Sequence, residues 1–131
     1  RLLDKLGMEP QEIALVISAI GNHDESTGAA VNPIAAALIL ADKTDVRRTR
    51  VRNQDLKTFD IHDRVNYATD ESKIYFGENN SSIVLDLTID TTICPVMDYF
   101  EIFLGRMLLC RKAAEYLGVK FELVINEQKL L

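Results

Sequence analysis

From Ile34 to Ala41 the chain runs through eight consecutive apolar residues, Ile-Ala-Ala-Ala-Leu-Ile-Leu-Ala, and then turns abruptly to Asp42. The preceding Asn32-Pro33 is a helix start, with asparagine as the cap and proline supplying the preset φ of the first turn. Eight helical residues point in every direction around an axis. This helix is therefore apolar all round and is expected at the centre of the fold. In helical projection Leu38, Asp42 and Asp45 share a side, and Leu38 is expected in the core. A carboxylate so placed is costly unless it is paired or bound to a metal. The pairing alternatives are an arginine partner for Asp42, or Asp45 with Arg48 at i+3.

The segments around this helix are also helical. Leu2, Leu3 and Leu6 already have helical spacing, and Gly7 ends that helix. Glu9-Pro10 starts the next, whose face is Ile13, Val16, Ile17 and Ile20 and which stops near Gly21-Asn22. His23-Asp24-Glu25-Ser26-Thr27-Gly28 is a polar loop. Asp60 caps a short helix with Asp63 in its first turn. The pattern then changes period. Lys73-Ile74-Tyr75-Phe76 reads as a strand, Gly77-Glu78-Asn79-Asn80 as a turn, and Ser82 to Asp90 as an alternating, half-buried antiparallel strand. Pro95 begins a long helix with Val96, Phe100, Phe103, Met107, Cys110, Ala114 and Leu117 on one stripe. Val119, Phe121, Leu123 and Ile125 form a last strand. The expected fold class is α+β: a helical segment over residues 1–70, then a β-β-α-β unit over 71–131 with a small antiparallel sheet.

Composition narrows the function classes. With 131 residues, 47% hydrophobic and 27% charged, the chain can bury a core and is too apolar for disorder. No apolar run approaches a membrane span of about 20 residues. The opening Arg-Leu-Leu-Asp-Lys has no apolar region of the secretory kind, and Cys94 and Cys110 have no metal or C-x-x-C spacing. A cytoplasmic protein with reduced core thiols is expected. The net charge is −5, yet residues 42–52 hold five basic and two acidic residues. A globally acidic chain is a poor binder of duplex nucleic acid. Its basic island reads either as a local phosphate site, with Lys43, Arg47 and Arg48 as cations, or as a solvated strip of internal ion pairs. No GxGxxG or GxxxxGK loop is present.

Both histidines precede an aspartate. His62 lies in a D-x-x-D capping pattern and reads as structural. His23 stands just past a helix end, followed by Asp24 and Glu25, a concentration of metal-ligating side chains.

The stretch Ala19-Ile20-Gly21-Asn22-His23-Asp24-Glu25, with Asn32-Pro33 and then Leu40-Ala41-Asp42-Lys43-Thr44-Asp45-Val46-Arg47-Arg48, resembles the HD-domain metal-dependent phosphohydrolases. In that superfamily a helical bundle carries an upstream His and a His-Asp doublet. Many members add a later His, and an Asp closes an apolar helix. Here His23 matches the later His and Asp42 the closing Asp; the resemblance covers roughly residues 1–70. Residues 59–68 and 94–131 resemble the tail of a bacterial subgroup of HD proteins. The upstream His and the doublet are not in this sequence. His23-Asp24 is not that doublet, because it lacks the following Ile/Leu-Gly and stands only 19 positions before Asp42. The resemblance thus implies the C-terminal portion of an HD protein.

It further implies a divalent metal (Mn²⁺, Mg²⁺, Fe²⁺ or Zn²⁺) held by His23 and Asp42. Asp24 and Glu25 would be further ligands or would orient a catalytic water, and Lys43, Arg47 and Arg48 would balance phosphate charge. The implied substrate is a nucleotide or other phosphoester, with weak metal binding by these residues alone. The alternative is a non-catalytic dimerisation or regulatory module on a degenerate HD scaffold. Either way, exposed apolar helix faces over residues 10–41 lead to an expectation of homo-oligomers.

Overall fold

The computed structural model describes residues 2–53 and 55–131. Helices α1 (Leu2–Lys5), α2 (Pro10–Gly21) and α3 (Pro33–Lys43) come first. Two short 3₁₀ turns follow, at Arg48–Arg50 and Leu56–Thr58, then α4 (Ile61–Ala68). The second half is β1 (Thr69–Phe76), β2 (Ser82–Ile89), α5 (Val96–Tyr116), β3 (Lys120–Ile125) and β4 (Gln128–Lys129). Helix boundaries follow local chemistry. Asn32 Oδ1 accepts from the Ala35 N–H at 2.8 Å, and Asp60 Oδ1 from the Asp63 N–H at 2.7 Å, so both expected caps form. Gly7, at φ +78°, turns the chain after α1 in a conformation that favours glycine.

The sheet order is β1-β2-β3-β4, and the sheet is mixed rather than antiparallel. β1 pairs antiparallel with β2, but β3 pairs parallel, with Ile83 beside Phe121, Leu85 beside Leu123 and Leu87 beside Ile125. Alternation does not encode strand direction. The 21-residue α5 supplies the crossover that a parallel pair requires. β2 is thus an interior strand, and Val84 on its second face is buried as well. Two strand segments were not visible in the pattern. β1 starts four residues earlier than expected because Thr69-Asp70-Glu71-Ser72 is held by pairing with β2, across an irregularity at Thr69/Glu71. β4 returns through Asn126-Glu127, both at positive φ (49° and 67°), a two-residue hairpin turn without glycine.

One apolar core joins both halves. Ala36, Ile39 and Leu40 of α3 and Val65 and Ala68 of α4 share it with Leu85, Leu87, Leu123 and Ile125 of the sheet and Tyr99, Phe103, Met107 and Cys110 of α5. Two expectations about burial are corrected. α3 is not enclosed on all sides: Ala35, Ala36, Ile39, Leu40 and Lys43 are buried, but Ile34, Ala37 and Ala41 face outward and Leu38 is only half-buried. On α2 the buried residue is Ala19, whereas Ile17 and Ile20 of the expected core stripe are 62% and 57% exposed. A helical period marks an apolar face; it does not say that anything covers it. Among the described residues no helix is long and apolar enough to cross a membrane.

Candidate functional site

The loop after α2 closes on itself and lies along α5. The Ala29 N–H donates to the Asn22 carbonyl at 2.9 Å. Gly28 sits at the crossing, where a Cβ would collide with the Asp24 carbonyl oxygen and press on Leu109. No side chain fits there without moving backbone. Three points fix the loop to α5: Glu25 to Arg106, Gly28 against Leu109, and the Tyr116 hydroxyl donating to the Val31 carbonyl. The loop therefore has one defined path along α5.

His23 begins this loop. Its Nδ1 lies 2.6 Å from the Ile20 carbonyl oxygen, in the last turn of α2. A carbonyl only accepts, so Nδ1 carries the proton. In the neutral ring the lone pair is then on Nε2, the tautomer that metal-ligating histidines take when a backbone carbonyl orients them. The next residue, Asp24, accepts from Ser26 Oγ at 2.7 Å. That hydrogen bond, with the Glu25 backbone N–H, holds its carboxyl below the usual range. Glu25 is engaged elsewhere, with Oε2 accepting from Arg106 Nε at 3.0 Å.

Asp42 and Lys43 occupy the C-terminal turn of α3. Lys43 Nζ donates to Asp42 Oδ2 at 2.6 Å. The Lys43 side chain is 8% exposed and that of Asp42 39%. The lysine is therefore the core-side member of the pair, against the expectation that Asp42 would be. The hydrogen bond from Lys43 holds the Asp42 carboxyl below its ordinary range, with further lowering from the charges of Lys43, His23 and Arg106. Lys43 also acts on Asp24. Charge from His23 acts on Asp42 and charge from Lys43 on Asp24, and these are the links between the loop and the end of α3.

Arg47 and Arg48 are placed otherwise. α3 stops at Lys43, so Lys43 and Arg47 share no helix face. Arg47 Nε pairs with Asp45 at 2.8 Å, and Arg50 with the same carboxylate at 2.7 Å. Arg48 donates from Nε to the Tyr67 carbonyl at 2.6 Å, pairs with Asp70, and lies 4.7 Å over the Tyr67 ring. These arginines tie the strip after α3 to α4 and β1, beside an open cleft of about 680 Å³ also lined by Asp45, Asp70 and Glu71. His62 is exposed, and its carbonyl accepts from Asn66, a structural role. Cys94 and Cys110 are buried and free, with burial pushing their thiols up to about 11 and about 12.

Motif reading missed one residue that pairs with this loop. Arg106 of α5 reaches Glu25 and adds its charge at Asp42. The available signal was its place on the helix. Arg106 follows Phe103 by three and precedes Cys110 by four, so it flanks the buried stripe rather than the solvent face. Among the described residues no group of three or more His, Cys, Asp or Glu side chains converges as a metal cage. His23 Nε2 and the Asp42 carboxylate do not make such a group. Comparison with protein-family models, curated proteins and solved structures returns no match for this chain.

Proposed function

We propose that this chain carries part of the divalent-metal site of an HD-type phosphohydrolase acting on a nucleotide or other phosphoester. The observation behind this reading is the His23 ring. Its Nδ1 is committed to the Ile20 carbonyl, which leaves Nε2 as a ready donor within electrostatic reach of the Asp42 carboxylate. His23 and Asp42 would hold the ion, which when bound acidifies a water and polarises a phosphoryl oxygen. The imidazole nitrogen suits Fe²⁺ and Zn²⁺, and the carboxylate oxygen suits Mn²⁺ and Mg²⁺.

The chain's own groups then divide the remaining work. Asp24, which accepts from Ser26, would orient a nucleophilic water. Lys43 neutralises Asp42 in the absence of a cation and must release it when one arrives. Two protein donors are below the three or four of a tight site, so binding by this chain is weak. Isothermal titration with Mn²⁺ tests the reading. Binding weaker than micromolar, lost in both His23→Ala and Asp42→Asn, is expected; a Mn²⁺ affinity unchanged by both substitutions refutes it.

A second reading, a non-catalytic dimerisation module, is favoured by a different observation. Ile17 and Ile20 of α2, with Val31 and Ile34 beyond the loop, are large apolar side chains left in water. Light scattering is the check: association removed by Ile17→Glu/Ile20→Glu, with no Mn²⁺ binding, favours the module over the hydrolase.

A further inference from the structure

We propose that the outer edge of β1 is a self-association surface, on which the β1 strand of a second copy adds antiparallel about a two-fold axis at Ile74 and joins the two sheets into one. This pairing uses neither the proposed metal ligands nor the apolar face of α2.

β1 ends the sheet order, with β2 as its neighbour on one side only. Among the described residues no backbone group of residues 70–76 bonds to anything but β2. The Gly77 N–H donates to the Ser82 carbonyl at 2.9 Å. In the alternation of an antiparallel ladder, Lys73 and Tyr75 therefore turn their backbone groups to β2, and Ser72, Ile74 and Phe76 turn theirs outward. The side chains at this edge are apolar. Ile74 and Phe76 stand opposite Leu85 and Ile83 of the core, yet they are 51% and 64% exposed. With Leu40, Ile83 and Tyr75, itself 46% exposed, they line an apolar hollow of about 220 Å³. Natural sheets blunt such edges with lysines and bulges. Here both devices fall short. Lys73 projects from the opposite face and is paired with Glu71 at 2.8 Å, and the irregularity at Thr69/Glu71 spares residues 72–76.

The occupant follows from the sequence of the edge. Antiparallel pairing sets outward-turned residues opposite outward-turned residues, so a two-fold can sit at Ser72, Lys73, Ile74 or Tyr75. An axis at Lys73 sets that charge against its copy. One at Ser72 runs into the irregularity and faces Asp70 with Ile74, and one at Tyr75 overlaps only residues 74–76. The axis at Ile74 pairs residues 72–76: Ile74 on Ile74, Lys73 against the ring of Tyr75 and Ser72 against Phe76, with no charge facing its like. Half-exposure of three large side chains offers about 300 Å² per copy. Ala41 of α3 lines the cleft beside Ile74, so the two-fold also brings α3 to its copy. The sum lies at the low end of specific interfaces, and a micromolar dimer is expected.

Sedimentation equilibrium of the whole chain is the test, with a concentration-dependent dimer expected. Ile74 is half-exposed, so substitutions there should leave the monomer folded by circular dichroism. Ile74→Lys and Ile74→Glu, each alone, set like charges on the axis and should weaken the dimer at least about a hundredfold. Mixed in equal amounts, the two variants should associate again as a heterodimer, which a merely structural defect does not produce. Amide exchange identifies the strand: Ser72, Ile74 and Phe76 should gain protection with concentration, while Lys73 and Tyr75 are protected throughout. A chain that stays monomeric at millimolar concentration overturns the proposal and leaves the edge to an extended segment of another protein. A dimer untouched by Ile74→Lys but abolished by Ile17→Glu/Ile20→Glu assigns association to α2 and overturns it as well.

Discussion

Breaking the Asp42–Lys43 pair from its two ends should have unequal effects. The Lys43 side chain is 8% exposed and that of Asp42 39%, and the two are ion-paired at 2.6 Å. Asp42→Asn leaves a buried ammonium facing a neutral amide. Stranding a buried charged group costs about 1–3 kcal/mol or more, and the exposure of the aspartate side screens part of that, so about 1–2 kcal/mol is expected. Lys43→Met instead replaces the ammonium with an apolar chain of similar shape. It leaves behind a carboxylate that water reaches, so the expected loss is below about 1 kcal/mol. The double variant should lie close to Lys43→Met, a coupling of about 1 kcal/mol.

Urea unfolding at pH 7 resolves this. With a slope of about 1.5 kcal/mol/M, Asp42→Asn lowers the midpoint by about 1 M. The pH dependence supplies the control. The folded Asp42 carboxyl lies below its ordinary range, chiefly through the hydrogen bond from Lys43. Its stabilisation is complete above the unfolded pKa of about 4 and is lost as pH falls through the lower folded value. The gap between the native chain and Asp42→Asn must therefore narrow on acidification from about pH 5 to 2. A larger loss for Lys43→Met than for Asp42→Asn, or a gap that widens in acid, refutes the argument.

Other features are as open to measurement. Gly28→Ala should cost about 2 kcal/mol in calorimetry, because its Cβ collides with the Asp24 carbonyl, whereas Gly21→Ala, with nothing within 4 Å, should be neutral or stabilising by a few tenths of a kcal/mol. Both thiols should resist disulfide-exchange reagents at pH 8 in the folded chain and react in urea, since burial pushes them up to about 11 and about 12; rapid labelling of the native protein contradicts this. Ile39→Ala and Leu123→Ala, from the two halves of one core, should each lower a single unfolding transition by about 3 kcal/mol; two separate transitions would show independent units.

Local signals made part of this fold legible and long-range ones did not. The long stripe of α5, the caps Asn32 and Asp60, and the alternation of β2 are all encoded within a few residues, and each formed. The polar half of β1 carries no such signal, because Thr69 to Ser72 become a strand only by pairing with Ile89 to Leu87. Parallel pairing of β3 depends on the path of α5, which no alternation reveals. The site divides in the same way. His23 and Asp42 belong to local patterns, a loop after a helix and the end of an apolar run. Arg106 joins Glu25 across 81 positions, a pairing that no spacing rule anticipates. The strongly basic strip drew attention by composition, yet Asp45 and Asp70 absorb its charge.

The position of Asp42 is a poor one for stability alone. It stands in the last turn of α3, where the helix dipole presents its negative end and disfavours a carboxylate by roughly 0.3–1 kcal/mol. It also obliges the buried Lys43 to spend its charge locally. Every neighbouring choice favours the helix: an asparagine cap, proline in the first turn, alanines against α5. On the proposed metal-site reading, a residue that breaks the local rule amid residues that follow it is kept for binding. The Asp42→Asn/Lys43→Met chain puts this to the test. If the pair serves binding, that variant folds with most of its stability and takes up no Mn²⁺. If the pair serves the fold, the variant loses stability while any metal affinity persists through His23.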